Sequence, residues 1–181
     1  AIAAECMEKI FLPTMHAMNA EGRTFKGCLY FGLMLTADGP KVIEYNCHFG
    51  DPETQVVLPL LESDLLTIMQ QIAAGTLAEA EVTFSKKSAC CVILASEGYP
   101  GKYETGYEIT LPADTSRIFV AGAKVKDGKL LSGGGRVLGV TEVADTLAEA
   151  VEKAYETVKT VHFANAYYRK DIGKKALAAE V

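Results

Sequence analysis

Gly27-Cys28-Leu29-Tyr30-Phe31-Gly32-Leu33-Met34-Leu35-Thr36-Ala37-Asp38-Gly39-Pro40-Lys41-Val42-Ile43-Glu44-Tyr45-Asn46 reads as two apolar runs folded about a turn. Gly27 to Thr36 is rich in Leu, Tyr, Phe and Met, and Lys41 to Asn46 is a second extended run. Asp38-Gly39-Pro40 between them is a turn signal, so the segment predicts an antiparallel hairpin. Toward the N-terminus, Ile2, Cys6 and Ile10, with Met7, share one face of a helix expected to end before Pro13. A second helical stretch, Thr14 to Asn19, stops at Glu21-Gly22. Beyond the hairpin, Pro52 and Pro59 bracket a loop. Ser63-Asp64 then caps a helix over Leu65 to Ala74 that Gly75 ends.

The second half of the chain differs in character. Ser88 to Ser96 is a continuous apolar run, short enough to be a buried strand. Glu97 to Gly101 is a turn or loop. Ile118 to Val125 and Lys129 to Leu131 flank Asp127-Gly128 as a hairpin, and Arg136 to Thr141 is a further strand. Asp145 or Thr146 caps a helix to about Thr160, with Leu147, Val151, Ala154, Tyr155 and Val158 on one face. The tail from Phe163 reads as irregular. The expected fold is α+β: an antiparallel sheet with packed helices, followed by a smaller mixed α/β C-terminal domain. The polar stretch before Ser88 places the boundary there, giving domains 1–86 and 87–181.

Composition narrows the function classes. The 181 residues are 49% apolar and 23% charged, with a net charge of −5. That is enough apolar material for a core, and it lacks the basic footprint of a nucleic-acid binder. No apolar run approaches the length of a membrane span, so neither nucleic acid nor membrane is expected as a partner. The start, Ala1 to Leu12, does not have the form of a signal peptide. It reads like the middle of an amphipathic helix, so the expectation is a C-terminal piece of a larger protein. The five cysteines contain no C-x-x-C pair, and the adjacent Cys90 and Cys91 point to opposite faces of a strand. They read as reduced, mostly buried thiols of a cytoplasmic protein.

The chemistry concentrates at the end of the hairpin, in Glu44-Tyr45-Asn46-Cys47-His48-Phe49-Gly50-Asp51-Pro52-Glu53-Thr54-Gln55. Residues i and i+2 of a strand share a side, so Glu44 and Asn46 face one way and Tyr45 the other. A carboxylate beside an amide oxygen is a hard-oxygen pair suited to Mg²⁺, which keeps waters and is completed by substrate phosphates. An isolated E-x-N is by default an exposed strand face with a capping Asn. Further on, Gly133-Gly134-Gly135-Arg136 follows a strand. Glycines let backbone N–H groups approach an anion and Arg can pair with phosphate, although such a run between strands is by itself usually a flexible turn. His16 and His162 read as structural.

Gly39 to Asn46 followed by Phe49 to Gln55 closely resembles the phosphoribosylamine–glycine ligase family, also called glycinamide ribonucleotide synthetases, which are ATP-grasp enzymes of purine synthesis. Leu94 to Gly101, Gly134 to Thr141 and Tyr168 to Gly173 continue the resemblance in family order over nearly the whole chain. The resemblance implies that residues up to about Phe84 are the last part of an ATP-grasp domain and that the remainder is the family's C-terminal domain. It implies Glu44 and Asn46 as ligands of Mg²⁺ (or Mn²⁺), with ATP, glycine and 5-phosphoribosylamine as substrates. The product would be glycinamide ribonucleotide, formed through a glycyl phosphate. The N-terminal remainder of the enzyme is then a partner of this chain, which would be inactive alone. Other ATP-grasp classes use a second acid on the preceding strand, which Gly27 to Leu35 lacks.

By the same resemblance Gly134, Gly135 and Arg136 hold the ribose-phosphate. Arg169 and Lys170 are a second basic candidate, with a solvated tail as the equal alternative. Asp51 and Glu53 divide equally between shaping the turn and orienting substrate. The family usually has Arg where this chain has His48, which replaces a permanent fork of donors with a titrating ring. No residue is assigned a covalent catalytic role. Two other readings remain: another purine-pathway ATP-grasp ligase or carboxylase, and a non-catalytic C-terminal binding or assembly module.

Overall fold

The computed structural model describes residues 2–179. Within it the chain forms two compact units, residues 1–50 with 63–83, and residues 51–62 with 84–181.

The first unit is built on the expected hairpin. β1 (Tyr30–Thr36) and β2 (Gly39–Asn46) pair antiparallel. The turn closes through the Thr36 hydroxyl, which donates to the Gly39 carbonyl at 2.8 Å. The register slips by one residue between Gly32 and Leu33, leaving Ile43 as the extra residue of a β-bulge. Phe31 meets Phe11 at a centroid distance of 4.4 Å and Tyr45 edge-on at 5.2 Å, so this face of the hairpin packs on the N-terminal helix. That helix does not end before Pro13. α1 (Ile2–Cys6) runs through a single π turn, Met7–Phe11, into α2 (Leu12–Ala20). The π turn bonds the Leu12 N–H to the Met7 carbonyl, five residues back. Pro13 then falls in the first turn of α2, where its missing N–H is tolerated.

α3 (Thr54–Val57) and a 3₁₀ turn (Leu58–Leu60) fill the segment expected as a loop. α4 (Leu65–Ala74) has the predicted ends. The Asp64 carboxylate accepts from the Thr67 N–H at 2.7 Å, and Gly75 adopts the left-handed conformation at φ 80°.

The second unit centres on β3 (Ser88–Ser96). The sheet order is β4-β7-β3-β8, all antiparallel, with β4 (Ile118–Val120), β7 (Arg136–Ala144) and β8 (Ala166–Tyr167). α5 (Leu147–Val158), capped by Thr146, packs on β3 and β7. Cys90, Val92 and Leu94 on β3 and Leu138 and Val140 on β7 meet Ala150, Ala154 and Val158 of α5 in a fully or nearly buried core. The opposite face of β3 carries Cys91, Ile93 and Ala95, and α3 packs on that strand.

Residues 51–62 therefore group with the second unit, whereas the expected boundary at 86/87 assigns them to the first. The physical reasons are local. α3 packs on β3 and β7, Leu61 bridges Phe84, and the Ser85 N–H bonds to the Leu60 carbonyl at 2.7 Å.

Two other expectations change. The run Ile118 to Val125 is broken at Gly122 into β4 and β5 (Ala123–Lys126), and β5 pairs with β6 (Lys129–Ser132) in a separate hairpin. A side chain at Gly122 would collide with the Arg136 carbonyl and with Gly134. Asp127 and Gly128 close the hairpin with φ of 52° and 76°, a type I′ turn.

The tail is also not irregular throughout. β8 and α6 (Lys174–Ala179) occupy it, and the Tyr155 hydroxyl on α5 pins it. That hydroxyl donates to the Arg169 carbonyl at 2.7 Å and accepts from the Ile172 N–H at 3.0 Å. Tyr155→Phe should remove both bonds and cost about 1–2 kcal/mol. The measurement is a lowered unfolding midpoint together with faster amide exchange at Ile172. Unchanged exchange there would mean the tail is held by other contacts.

Candidate functional site

The first cluster lies on β2. The bulge at Ile43 sets which way it faces. In an unbroken ladder Glu44 would stand opposite Phe31, on the face packed against the N-terminal helix. With the extra residue it stands opposite Gly32, Asn46 opposite Tyr30, and Tyr45 takes the place against Phe31. Glu44 and Asn46 thus share the face turned away from that helix. Gly32 makes room for the acid: a Cβ there would sit 2.7 Å from the Glu44 Cγ. The Asn46 Nδ2 lies 3.4 Å from the Glu44 Oε1.

Turning the Asn46 amide over would bring its oxygen to that separation. Adjacent ligands of an octahedral Mg²⁺ with bonds of 2.0–2.1 Å are themselves about 2.9 Å apart. The pair therefore fits two positions of such an ion and leaves the rest to water and phosphate oxygens. Among the described residues no three His, Cys, Asp or Glu side chains gather for a metal.

His48 is exposed, and its ring Nδ1 donates to the Phe49 carbonyl at 2.7 Å. It also lines a cavity of about 460 Å³ with Lys26, Cys28, Phe49 and the Leu65, Ile68 and Met69 side of α4.

The second cluster belongs to the second unit and is again placed by a bulge. Leu94 pairs with Leu138, but Ala95 pairs with Arg136, leaving Val137 as the extra residue. Without it Arg136 would follow Leu138 into the core. With it Arg136 stands beside Ala95, on the face that lines a cavity of about 280 Å³. The carbonyls of Val137 and Arg136 are taken by the N–H groups of Ala121 and Gly122, at 3.0 and 2.8 Å, so the bulge leaves neither of these carbonyls unpaired.

The Arg136 guanidinium is held by Asp51. Its Nη1 donates to the Asp51 carbonyl at 2.6 Å and its Nη2 lies 3.4 Å from Oδ2. The other carboxylate oxygen, Oδ1, accepts from Gln55 Nε2 at 2.7 Å. Glu53 opens α3, and its carbonyl accepts from the Val56 and Val57 N–H groups.

Gly134 and Gly135 are packed tightly. Side chains there would press on Gly122 and on the Tyr99 ring respectively. The buried Ser96 bonds to both, its hydroxyl donating to the Gly134 carbonyl at 2.9 Å and its N–H to the Gly135 carbonyl at 2.8 Å. The run is thus a close approach of backbones rather than a loose turn.

Tyr99, Tyr167, Tyr168 and Arg169 complete the cavity with Cys91. Arg169 is itself paired, donating from Nε and Nη2 to the two oxygens of Asp171 at 2.9 and 2.8 Å. This bonding raises the arginine pKa and lowers that of Asp171. Burial pushes the Cys91 thiol up, the Thr141 hydroxyl opposing and the Asp51 charge adding to it. Cys90 is pushed to about 11 by burial and by Cys91. Both therefore stay protonated near neutral pH, and all five cysteines are free.

The structure brings Glu44 to Asn46, and Asp51 to Arg136. Gln55, Tyr99, Tyr167 and Ser96 were not singled out in the sequence. Of these, only Gln55 had a local signal, one helical turn after Asp51.

Comparison with known proteins matches the two halves of the chain to two family models. The family model described as phosphoribosylglycinamide synthetase, C domain, matches residues 89–175, and the model for that synthetase's ATP-grasp (A) domain matches residues 1–54. A phosphoribosylamine–glycine ligase of Caldanaerobacter subterraneus subsp. tengcongensis is 47% identical over 93% of this chain and 41% of its own length. A bifunctional purine biosynthetic protein of Schizosaccharomyces pombe is 48% identical over 93% of this chain and 22% of its own. The crystal structure of phosphoribosylamine–glycine ligase from Thermotoga maritima superposes with a TM-score of 0.83 at 40% identity, covering 93% of this chain and 42% of that one. The biotin carboxylase domain of Hydrogenobacter thermophilus 2-oxoglutarate carboxylase, solved with MgADP, shares the fold at a TM-score of 0.58 and 16% identity, covering 91% of this chain and 40% of that one. The chain spans about two fifths of the length of the monofunctional ligases it matches. Among the described residues no helix is long and apolar enough to cross a membrane.

The Gly32 contact yields a direct check. Gly32→Ala should leave the hairpin folded, because the clashing atom belongs to a flexible side chain, and should drive the Glu44 carboxylate away from Asn46. A crystal structure of the variant reads the displacement; an unmoved Glu44 would show that Gly32 does not set its position.

Proposed function

The chain belongs to the phosphoribosylglycinamide synthetase family, and from that premise we propose that it is the C-terminal portion of an ATP-dependent ligase joining glycine to 5-phosphoribosylamine. The products are glycinamide ribonucleotide, ADP and phosphate. The observation that carries the reading is the Glu44–Asn46 pair, set side by side on one face of β2 by the bulge at Ile43. It lies within the segment that the ATP-grasp model matches.

The chemistry follows from the substrates. A carboxylate is a poor electrophile, so the glycine carboxylate takes the γ-phosphoryl group of ATP and becomes an acyl phosphate. The amine of phosphoribosylamine attacks that carbonyl, phosphate leaves, and the amide forms. Catalysis of this kind is mainly positioning and electrostatics. Glu44 and Asn46 would hold Mg²⁺ or Mn²⁺ through their side-chain oxygens, and the ion would offset the charge of the nucleotide phosphates. Arg136, with the backbone of Gly134 and Gly135, takes the phosphate of phosphoribosylamine. Asp51 is committed to Arg136 and Gln55, which favours the structural role over direct orientation of substrate. Glu53 belongs to the same turn.

Along the sequence, residues 1–86 would be the end of the ATP-grasp domain and residues 87–181 the C-terminal domain, with residues 51–62 packing on the latter. The preceding part of the enzyme is this chain's partner, and without it the chain is inactive. The enzyme works in the cytoplasm.

The test uses the full-length ligase. Phosphate release from ATP should require both glycine and phosphoribosylamine. Glu44→Ala should lower kcat at least a hundredfold, as loss of a group that stabilises transferring charge does, and retained activity would refute the metal assignment. Arg136→Ala should raise KM for phosphoribosylamine by roughly tenfold or more, the worth of a charged hydrogen bond to phosphate, with KM for ATP little changed.

A further inference from the structure

The Arg136 guanidinium is held by a chain of side chains that begins in α3. Gln55 donates to one oxygen of Asp51, the other oxygen faces the Arg136 Nη2, and the Asp51 carbonyl takes Nη1.

An ion pair this exposed, with side chains 40% and 43% accessible, contributes little to stability, so its value lies elsewhere. Gln55 points the same way. Its Cγ packs near Gly139 beside Cys91, and its Oε1 is buried without a hydrogen-bond partner. A buried orphan acceptor costs stability. The arrangement is nevertheless the only one in which the amide NH₂ reaches Asp51, because the reversed amide would set oxygen against carboxylate. A hydrophobic residue of the same size would fill the site without that cost. The polar group is therefore retained for its orientation.

The cavity receiving the arginine matches a specific ligand chemistry. Arg136 and Arg169 line it together with Tyr99, Tyr167 and Tyr168. Arg169 is committed to Asp171 through two short bonds, whereas Arg136 meets the Asp51 carboxylate through one longer contact of 3.4 Å, so aiming Arg136 sets where a dianion would sit.

We propose that Gln55 and Asp51 are positioning residues that hold the Arg136 guanidinium at the mouth of the tyrosine-lined cavity, and that the group received there is a sugar phosphate monoester. The proposal rests on the reading of Arg136 as the phosphate ligand of phosphoribosylamine and adds how that ligand is aimed. Asp51 then acts through Arg136, in keeping with a carboxylate whose two oxygens are divided between Gln55 and the guanidinium.

The test compares Gln55→Met, Arg136→Ala and the double variant in the full-length ligase, measuring KM for each of the three substrates, kcat and the unfolding midpoint. Gln55→Met is expected to keep or raise the midpoint, since it removes a buried orphan oxygen. It should raise KM for phosphoribosylamine roughly three- to tenfold and leave KM for ATP and glycine unchanged. In the Arg136→Ala background the same substitution should add nothing, because the group it positions is gone.

A KM effect that persists without Arg136, or one shared equally by all three substrates, would overturn the positioning role. So would an unchanged KM in Gln55→Met when Arg136→Ala raises it; that result leaves the phosphate reading standing. If Arg136→Ala itself leaves KM for phosphoribosylamine unchanged, the phosphate reading fails and the positioning role fails with it.

Discussion

Strand parity governs this molecule, and two single-residue insertions decide what it can do. In a pleated strand the side-chain period is two, so one extra residue exchanges the faces of everything beyond it. Ile43 performs that exchange on β2 and Val137 on β7. The first insertion moves Glu44 and Asn46 off the face that packs on the N-terminal helix and puts Tyr45 against Phe31. The second takes Arg136 out of the plane of Leu138 and Val140, which are fully buried, and delivers it to the cavity face. In the second case a charged side chain escapes a fully buried location where its desolvation would be severe; in the first, an aromatic ring takes the contact with Phe31 in place of a carboxylate.

The surroundings of each insertion are adapted to it. Gly32 lacks the Cβ that would collide with Glu44. Gly122 lacks the Cβ that would collide with the Arg136 carbonyl, and its N–H, with that of Ala121, satisfies the bulged backbone. The glycines next to Glu44 and Arg136 are thus explained by close approach of chains. The same reasoning revises the Gly133–Gly135 run: Ser96 and Tyr99 clamp it, so its rigidity is a packing property. The sheet of the second unit is consequently two-sided, with its core-facing side bound to α5. The other side is occupied by α3 and by the cavity, and the Tyr155 hydroxyl holds the tail that contributes Tyr168 and Arg169 to the lining.

Local signals explain which elements were legible in the sequence. The hairpin, the Asp64-capped helix ended by Gly75, the apolar strand Ser88–Ser96 and the Thr146-capped helix each carry their own start, stop and periodicity. The misread elements lacked such signals. Pro13 resembles a helix stop, and only the π turn ahead of it keeps the helix going. Ile118 to Val125 is uniformly apolar, and its break at Gly122 is imposed by the neighbouring glycine run. The segment 51–62 joins the second unit because of what α3 packs against, which no local pattern encodes.

Chemistry followed the same split. Glu44 and Asn46 were readable as a pair because residues two apart on a strand share a face, and the bulge lies just before them rather than between them. Asp51 and Arg136 were each recognisable as polar candidates, yet their pairing across 85 positions was not. By itself the sequence determined the local elements, the hard-oxygen pair and the family to which its motifs belong, because these depend on short-range periodicity and on order along the chain. Only the tertiary structure decided which face each charged group occupies, which residue holds Arg136 and what lines its cavity. Those depend on register between strands, where a single inserted residue reverses the outcome and leaves composition and periodicity almost untouched.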